Sequence, residues 1–112
     1  MKQQLALAAL VAAATGAVHA QQAAPRFAPS NLSPAGVRAL AANCAPCHGP
    51  EGRPAAGSTS ARLAGRPAEE IAQALAAYRK GEKAGSLMPQ IARGYDDAEI
   101  QALAAYFAKV SP

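Results

Sequence analysis

Tryptophan is absent from this sequence, and only five residues are aromatic: Phe27, Tyr78, Tyr95, Tyr106 and Phe107. With so little bulky side-chain volume, the apolar interior is thin. The 112 residues leave room for one domain and no second. β-type alternation is almost missing, no internal repeat is visible, and the expectation is therefore an all-helical chain. Strong charge is lacking too. The net charge of +4 is too weak and too scattered for nucleic acid, though it suits docking on an acidic protein partner. Cysteine and histidine are scarce, at two each, and Met88 is the only methionine after Met1.

The first twenty residues have the pattern of an export signal. Lys2 gives a positive start, Leu5 to Val18 is apolar, and Val18-His19-Ala20 is a small-x-small cleavage site. The apolar run is short for a membrane span, which needs about 20 residues; the alternative is an uncleaved N-terminal anchor. Cleavage near Ala20 predicts a chain of ten Lys and Arg against seven Asp and Glu with no membrane span. Residues 21–32 lack periodicity and read as a flexible arm, so the domain is expected over 33–112.

The scarce cysteines are concentrated in one place. Cys44-Ala45-Pro46-Cys47-His48 is the attachment signature of a c-type haem. Residues three apart share a face of a helical turn, so both thiols reach vinyl groups of one porphyrin and His48 lies beneath it as an iron ligand. The competing readings of a C-x-x-C pair fare worse. A redox dithiol wants a βαβ neighbourhood, a zinc site wants four ligands, and a disulfide across three residues closes too small a loop to stabilise much. A covalently bound haem c also supplies the apolar core that the composition lacks.

Three principal helices are expected around it. Ser33-Pro34 starts the first, which runs into the pentapeptide with Val37, Leu40 and Ala41 on one stripe. Residues 49–65, rich in Gly and Pro, form a long loop at one edge of the haem. Arg66-Pro67 opens the second helix, with Glu69 and Glu70 in its first turn, Ile71, Leu75 and Tyr78 inward, and Gly81 as its stop. Residues 82–95 are read as another loop, with Pro89 forcing Met88 out of helical geometry. Asp96 with Glu99 makes an acidic capping box for the third helix, whose buried stripe is Ile100, Leu103, Tyr106 and Phe107.

The iron's sixth position is assigned by elimination. Methionine sulfur is the usual partner of histidine in electron-transfer haems, and Met88 lies in a connection forty residues after His48. The alternatives are Met88 as a core gap-filler, a lysine ligand (Lys80 or Lys83), or an open site capable of chemistry. The other ring N–H of His48 is expected to be held by a backbone carbonyl near Ala61.

With these residues in place, the chain resembles the class I cytochromes c from Ser33 to Ala108. Gly36 and Leu40 fall eight and four residues before Cys44, where the family has a small glycine and a bulky residue, and Leu103 and Tyr106 match the L-x-x-Y pattern by which its last helix packs on that glycine. Leu63-Ala64-Gly65 looks like the short bacterial branch. Residues 88–108 are similar to the cytochrome subunit of flavocytochrome c sulfide dehydrogenase and to single domains of periplasmic diheme cytochromes. One departure is Ala61, where those relatives place a proline whose carbonyl supports the haem histidine; another is the single haem motif.

The resemblance implies a class I cytochrome c fold and a periplasmic location, because haem of this type is attached outside the cytoplasm. It implies a non-catalytic carrier of single electrons, with Cys44 and Cys47 as thioethers, His48 and Met88 as axial ligands, and redox proteins as partners. Alternatively, the chain is the electron-accepting subunit of a flavoprotein that oxidises sulfide. A haem enzyme requires Met88 not to bind iron. Arg62, Arg66, Arg79, Lys80, Lys83 and Arg93 flank the two loops and suit an acidic partner, or form an ordinary solvated face; Ala55, Ala56, Leu87 and Ile91 are candidates for an apolar docking patch.

Overall fold

The computed structural model describes residues 31–112, so the expected signal peptide and almost all of the expected arm lie outside the described residues. Five helices follow in order: α1 (Pro34–Ala42), α2 (Ala45–His48), α3 (Ala68–Lys80), α4 (Met88–Ala92) and α5 (Asp97–Lys109). A 3-10 turn, Pro50–Gly52, follows α2. Among the described residues there is no strand, as the sequence predicts.

Local chemistry fixes the ends of the long helices. Ser33 Oγ accepts from the Gly36 N–H at 3.2 Å, with Pro34 in the first turn, where a missing N–H costs nothing. The α3 helix begins with Glu69 and Glu70, ends with Arg79 and Lys80, and stops at Gly81, whose φ of 76° is left-handed. Both halves of the α5 capping box form at 2.8 Å: Glu99 N–H donates to Asp96 Oδ1, and Asp96 N–H donates to Glu99 Oε2.

The core is built from one face of each long helix. Ile71, Ala72 and Leu75 of α3 meet Ile100, Leu103, Ala104 and Phe107 of α5, joined by Ala41 of α1 and Ala92 of α4. The α5 helix packs on both α1 and α3, and α4 packs on α3. Tyr106 is only partly buried, and its ring stands edge-on to Phe107 at 5.2 Å.

Two expectations about the backbone are corrected. First, α1 does not run into the pentapeptide; it stops at Ala42. The cause is Pro46, which has no N–H for the Ala42 carbonyl and whose ring crowds that carbonyl. The chain tightens instead through Asn43 N–H to Leu40 O at 3.2 Å and Cys44 N–H to Ala41 O at 3.0 Å, then restarts as α2. Second, the 82–95 connection contains a helix, and Met88 is its first residue. Pro89 is tolerated there because the N–H groups of a first turn have no helical partner, and burial of Pro89 and Ala92 holds the turn in place. A β-carbon on Gly36 would meet the Asn31 carbonyl at 1.7 Å, so this glycine makes room for the chain entering α1, the helix on which α5 packs.

Candidate functional site

The helices and loops enclose an apolar cavity of about 430 Å³, within the range of about 300–1,000 Å³ typical of cofactor sites. Its floor is core: Ile71 and Leu75 from α3, Leu103 and Phe107 from α5. Cys44, Cys47, His48 and Met88 all line it. The four residues singled out from the sequence therefore lie around one space, although α2 and α4 are forty residues apart in the chain.

Each is placed by its element. Cys44 is the N-cap of α2 and is half-buried, whereas Cys47, three residues on, is exposed. Burial raises the Cys44 thiol above its ordinary value. Gly49 N–H donates to Ala45 O at 2.9 Å, and His48 N–H to Cys44 O at 2.9 Å, so the single turn is closed and the histidine directed. His48 Nδ1 donates to the Ala61 carbonyl at 2.7 Å, which fixes the tautomer and leaves Nε2 as the free ring nitrogen. Ala61 thus serves although it is not proline, because the bond uses backbone.

Met88 is only partly buried and packs against the core from the start of α4. Met88 thus touches core and cavity together, so packing and facing the cavity are not exclusive roles for it. Lys83 and Arg66 also line the cavity. Lys83 Nζ lies 5.0 Å from the Tyr78 ring centroid, a cation–π contact, and Arg66 pairs with Glu70 at 3.2 Å. Tyr78 and Tyr95 complete the wall, and burial is the main cause that raises the Tyr95 hydroxyl. The sequence marks Tyr78 only as part of an apolar stripe, and nothing in the spacing of Tyr78 or Tyr95 marks them as cavity residues.

Leu87 is 54% exposed and Ile91 38% exposed, yet both line the cavity, so they form an apolar lip at its mouth. Ala55 and Ala56 are exposed but are not among the lining residues. Of the basic residues, Arg79 is engaged within the fold, donating to Tyr95 O at 3.0 Å and to Asp97 Oδ1.

The donor set fits a porphyrin: two thiols and an imidazole on one turn, a thioether on another, and apolar walls between them. Comparison with known proteins agrees. Residues 31–107 match the family described as cytochrome c oxidase, cbb3-type, subunit III. The chain is 41% identical over 70 residues to a thiosulfate dehydrogenase electron acceptor of Stutzerimonas stutzeri, covering 60% of this chain and 32% of that protein. It is 33% identical over 72 residues to the cytochrome subunit of sulfide dehydrogenase of Chlorobaculum tepidum, 64% of each. It is 31% identical over 91 residues to cytochrome c-553 of Nitratidesulfovibrio vulgaris, covering 79% of this chain and 89% of the relative. The chain thus spans about a third of the thiosulfate dehydrogenase electron acceptor and most of the cytochrome c-553. By the extent of these matches, the chain belongs to this cytochrome family as a monohaem class I c-type cytochrome with one covalently bound haem c.

Proposed function

We propose that this protein is a periplasmic carrier of single electrons, with haem held through thioethers at Cys44 and Cys47 and iron ligated by His48 and Met88. One observation carries the reading: His48 and Met88 line the same cavity, and the hydrogen bond from Nδ1 to Ala61 leaves Nε2 to face a metal. Haem supplies the one-electron iron couple. The chain's residues do the rest. Cys44 and Cys47 would hold the haem through their thiols, the α2 turn and the Ala61 carbonyl orient the imidazole, Met88 would offer soft sulfur, and the apolar walls would keep water from the bound group. With His48 and Met88 both bound to iron, no open coordination site would be left for a substrate, so on this reading catalysis belongs to a partner and not to this chain. Export follows from the 1–20 signal pattern and cleavage near Ala20. No helix among the described residues is long and apolar enough to cross a membrane.

The test is the absorption spectrum and potential of the holoprotein beside its Met88→Ala variant. Loss of the methionine–iron charge-transfer band with a lower potential supports the ligand pair; an unchanged spectrum overturns it.

A second reading is an electron-accepting subunit on a partner that oxidises a reduced sulfur compound, such as a flavoprotein acting on sulfide. Two relatives carry names of that kind, and the Leu87–Ile91 lip is the sort of apolar surface that a lasting interface covers. Gentle purification separates the readings. A particle of haem alone supports the free carrier, and co-purifying flavin that sulfide reduces supports the subunit.

A further inference from the structure

The Ala61 carbonyl that orients His48 belongs to a loop with little support of its own. Its neck is closed where Leu63 N–H and Ala64 N–H both donate to the Gly52 carbonyl, at 2.9 and 3.2 Å. Beyond that neck, Ser58 N–H to Ala55 O at 3.1 Å and Ser60 N–H to Ser58 Oγ at 3.1 Å are both internal to the loop. Gly57 has a φ of 79°, and nothing stands within 4 Å of where its β-carbon would be. Ala61 lacks the ring that would fix φ at this position. Core packing of Leu63 and burial of Ala64 fix the chain just after Ala61, but residues 55–60 before it have only their own bonds to hold the carbonyl 2.7 Å from the imidazole.

Arg53, at the neck, reaches out of the loop. Its Nε and Nη2 donate to the Ser111 carbonyl at 3.1 and 2.7 Å, and its Nη1 donates to Glu51 Oε2 at 2.7 Å. Glu51 has a φ of 51°, a left-handed conformation that a residue other than glycine keeps when its surroundings hold it there. The other limb of the neck meets the same segment. Gly65 N–H donates to Phe107 O at 2.9 Å, and a β-carbon on Gly65 would come within 2.6 Å of the Pro112 ring. Residues 111–112 thus lie across both limbs, pinned by one guanidinium.

We infer that Arg53 is a positioning residue for His48: by latching Ser111 across the loop neck it keeps the Ala61 carbonyl on the imidazole, the part that proline plays elsewhere. The consequence for iron rests on the ligand reading above; the hydrogen bond does not. A guanidinium suits the task because its planar fork holds the carbonyl and the Glu51 carboxylate at once, and an ammonium has no such fork.

The experiment measures solvent exchange of the His48 ring N–H by NMR in the holoprotein, together with the melting temperature. It compares wild type, Arg53→Ala, Arg53→Lys, a variant ending at Val110, and Asp96→Ala as a destabilised control away from the loop. Local opening of the loop predicts exchange roughly tenfold faster in Arg53→Ala and in the variant ending at Val110, no further gain when the two are combined, and an intermediate rate in Arg53→Lys. Exchange within about twofold of wild type in Arg53→Ala overturns the inference. So does an equal rise in Asp96→Ala at matched loss of melting temperature, since the effect is then global. If Arg53→Ala does not hold haem, Arg53→Lys and the variant ending at Val110 decide on the same readout. A ring proton with no hyperfine shift in wild type overturns the ligand reading, and the exchange rates still decide the role of Arg53.

Discussion

His48 and Met88 line one cavity from two short helices, α2 and α4, and neither helix is long enough to be stable alone. Tertiary packing therefore supplies the geometry: α4 is held against α3, with Ala92 wholly buried, and α2 is closed on itself and tied to the 53–62 loop. Replacing Met88 by Ala removes sulfur from the site and leaves α4 anchored through Pro89 and Ala92. The potential is expected to fall on the order of 0.2 V, a fraction of the roughly 0.8 V over which axial ligands set haem potentials, and external ligands such as cyanide should bind readily. Redox titration of the two proteins checks it; equal potentials defeat the assignment.

The cavity also bears on stability. The pocket of about 430 Å³ is open at its mouth, and without haem its apolar floor of Ile71, Leu75, Leu103 and Phe107 has no partner on the cavity side. Double replacement of Cys44 and Cys47 by Ser should therefore give a chain without cooperative unfolding. Thermal melting followed by far-ultraviolet circular dichroism decides it, and a sharp transition near that of the holoprotein would sink the idea.

The extent to which this arrangement was legible beforehand varies with the range of the interactions. Ser33, Gly81 and the Asp96–Glu99 box act within one turn, and their chemistry is written in adjacent letters. The pentapeptide is equally local. The break before α2 was legible in principle, since Pro46 lies four residues after Ala42 and removes the N–H that a continuous helix needs. The α4 helix was not. Five residues carry no periodicity, and what makes them helical is burial of Pro89 and Ala92 against α3. Likewise the Arg53–Ser111 latch joins residues fifty-eight apart, and no spacing rule connects them.

The Asp96 cap gives a stability prediction independent of haem chemistry. Asp96→Ala removes the acceptor for the Glu99 N–H and half of the reciprocal box. A loss of about 1 kcal/mol, within the usual 0.5–2, is expected from denaturant unfolding, with the optical spectrum unchanged. A loss below about 0.3 kcal/mol would show that the cap contributes nothing measurable.

Acid should weaken the tie between α3 and α5. The hydrogen bond from Arg79, and then its charge, hold the Asp97 carboxyl below its ordinary value of 3.8. A carboxyl depressed in the folded state adds stability above its unfolded value, and that stability is lost as pH falls through the folded one. The Asp97 side chain is 88% exposed, so water and salt screen the contribution and it stays small. Melting temperatures of wild type and Asp97→Asn should differ most near neutral pH and converge below about 3.8. A gap that persists undiminished at pH 2 would assign it to something other than the carboxylate.

The mouth of the cavity separates a carrier from a subunit. Leu87 and Ile91 are four residues apart on and beside α4, exposed together, with Lys83 among the lining residues. An encounter steered by charge weakens as salt rises, because screening sets in over about 8 Å at physiological ionic strength, whereas burial of an apolar lip does not. For a transient carrier, Lys83→Glu should slow reduction by an acidic redox partner several-fold at low salt, with the gap closing at high salt. Leu87→Asp should slow it at every salt concentration, on the order of tenfold if burying this leucine contributes about 1.4 kcal/mol to docking. Both residues line the cavity and each change adds negative charge beside it, so the potential of each variant is measured as well and the rates are compared at equal driving force. Stopped-flow rates at two ionic strengths decide between the pictures. A Leu87→Asp protein that no longer co-purifies with a partner, while Lys83→Glu still does, identifies the lip as a lasting interface and favours the subunit.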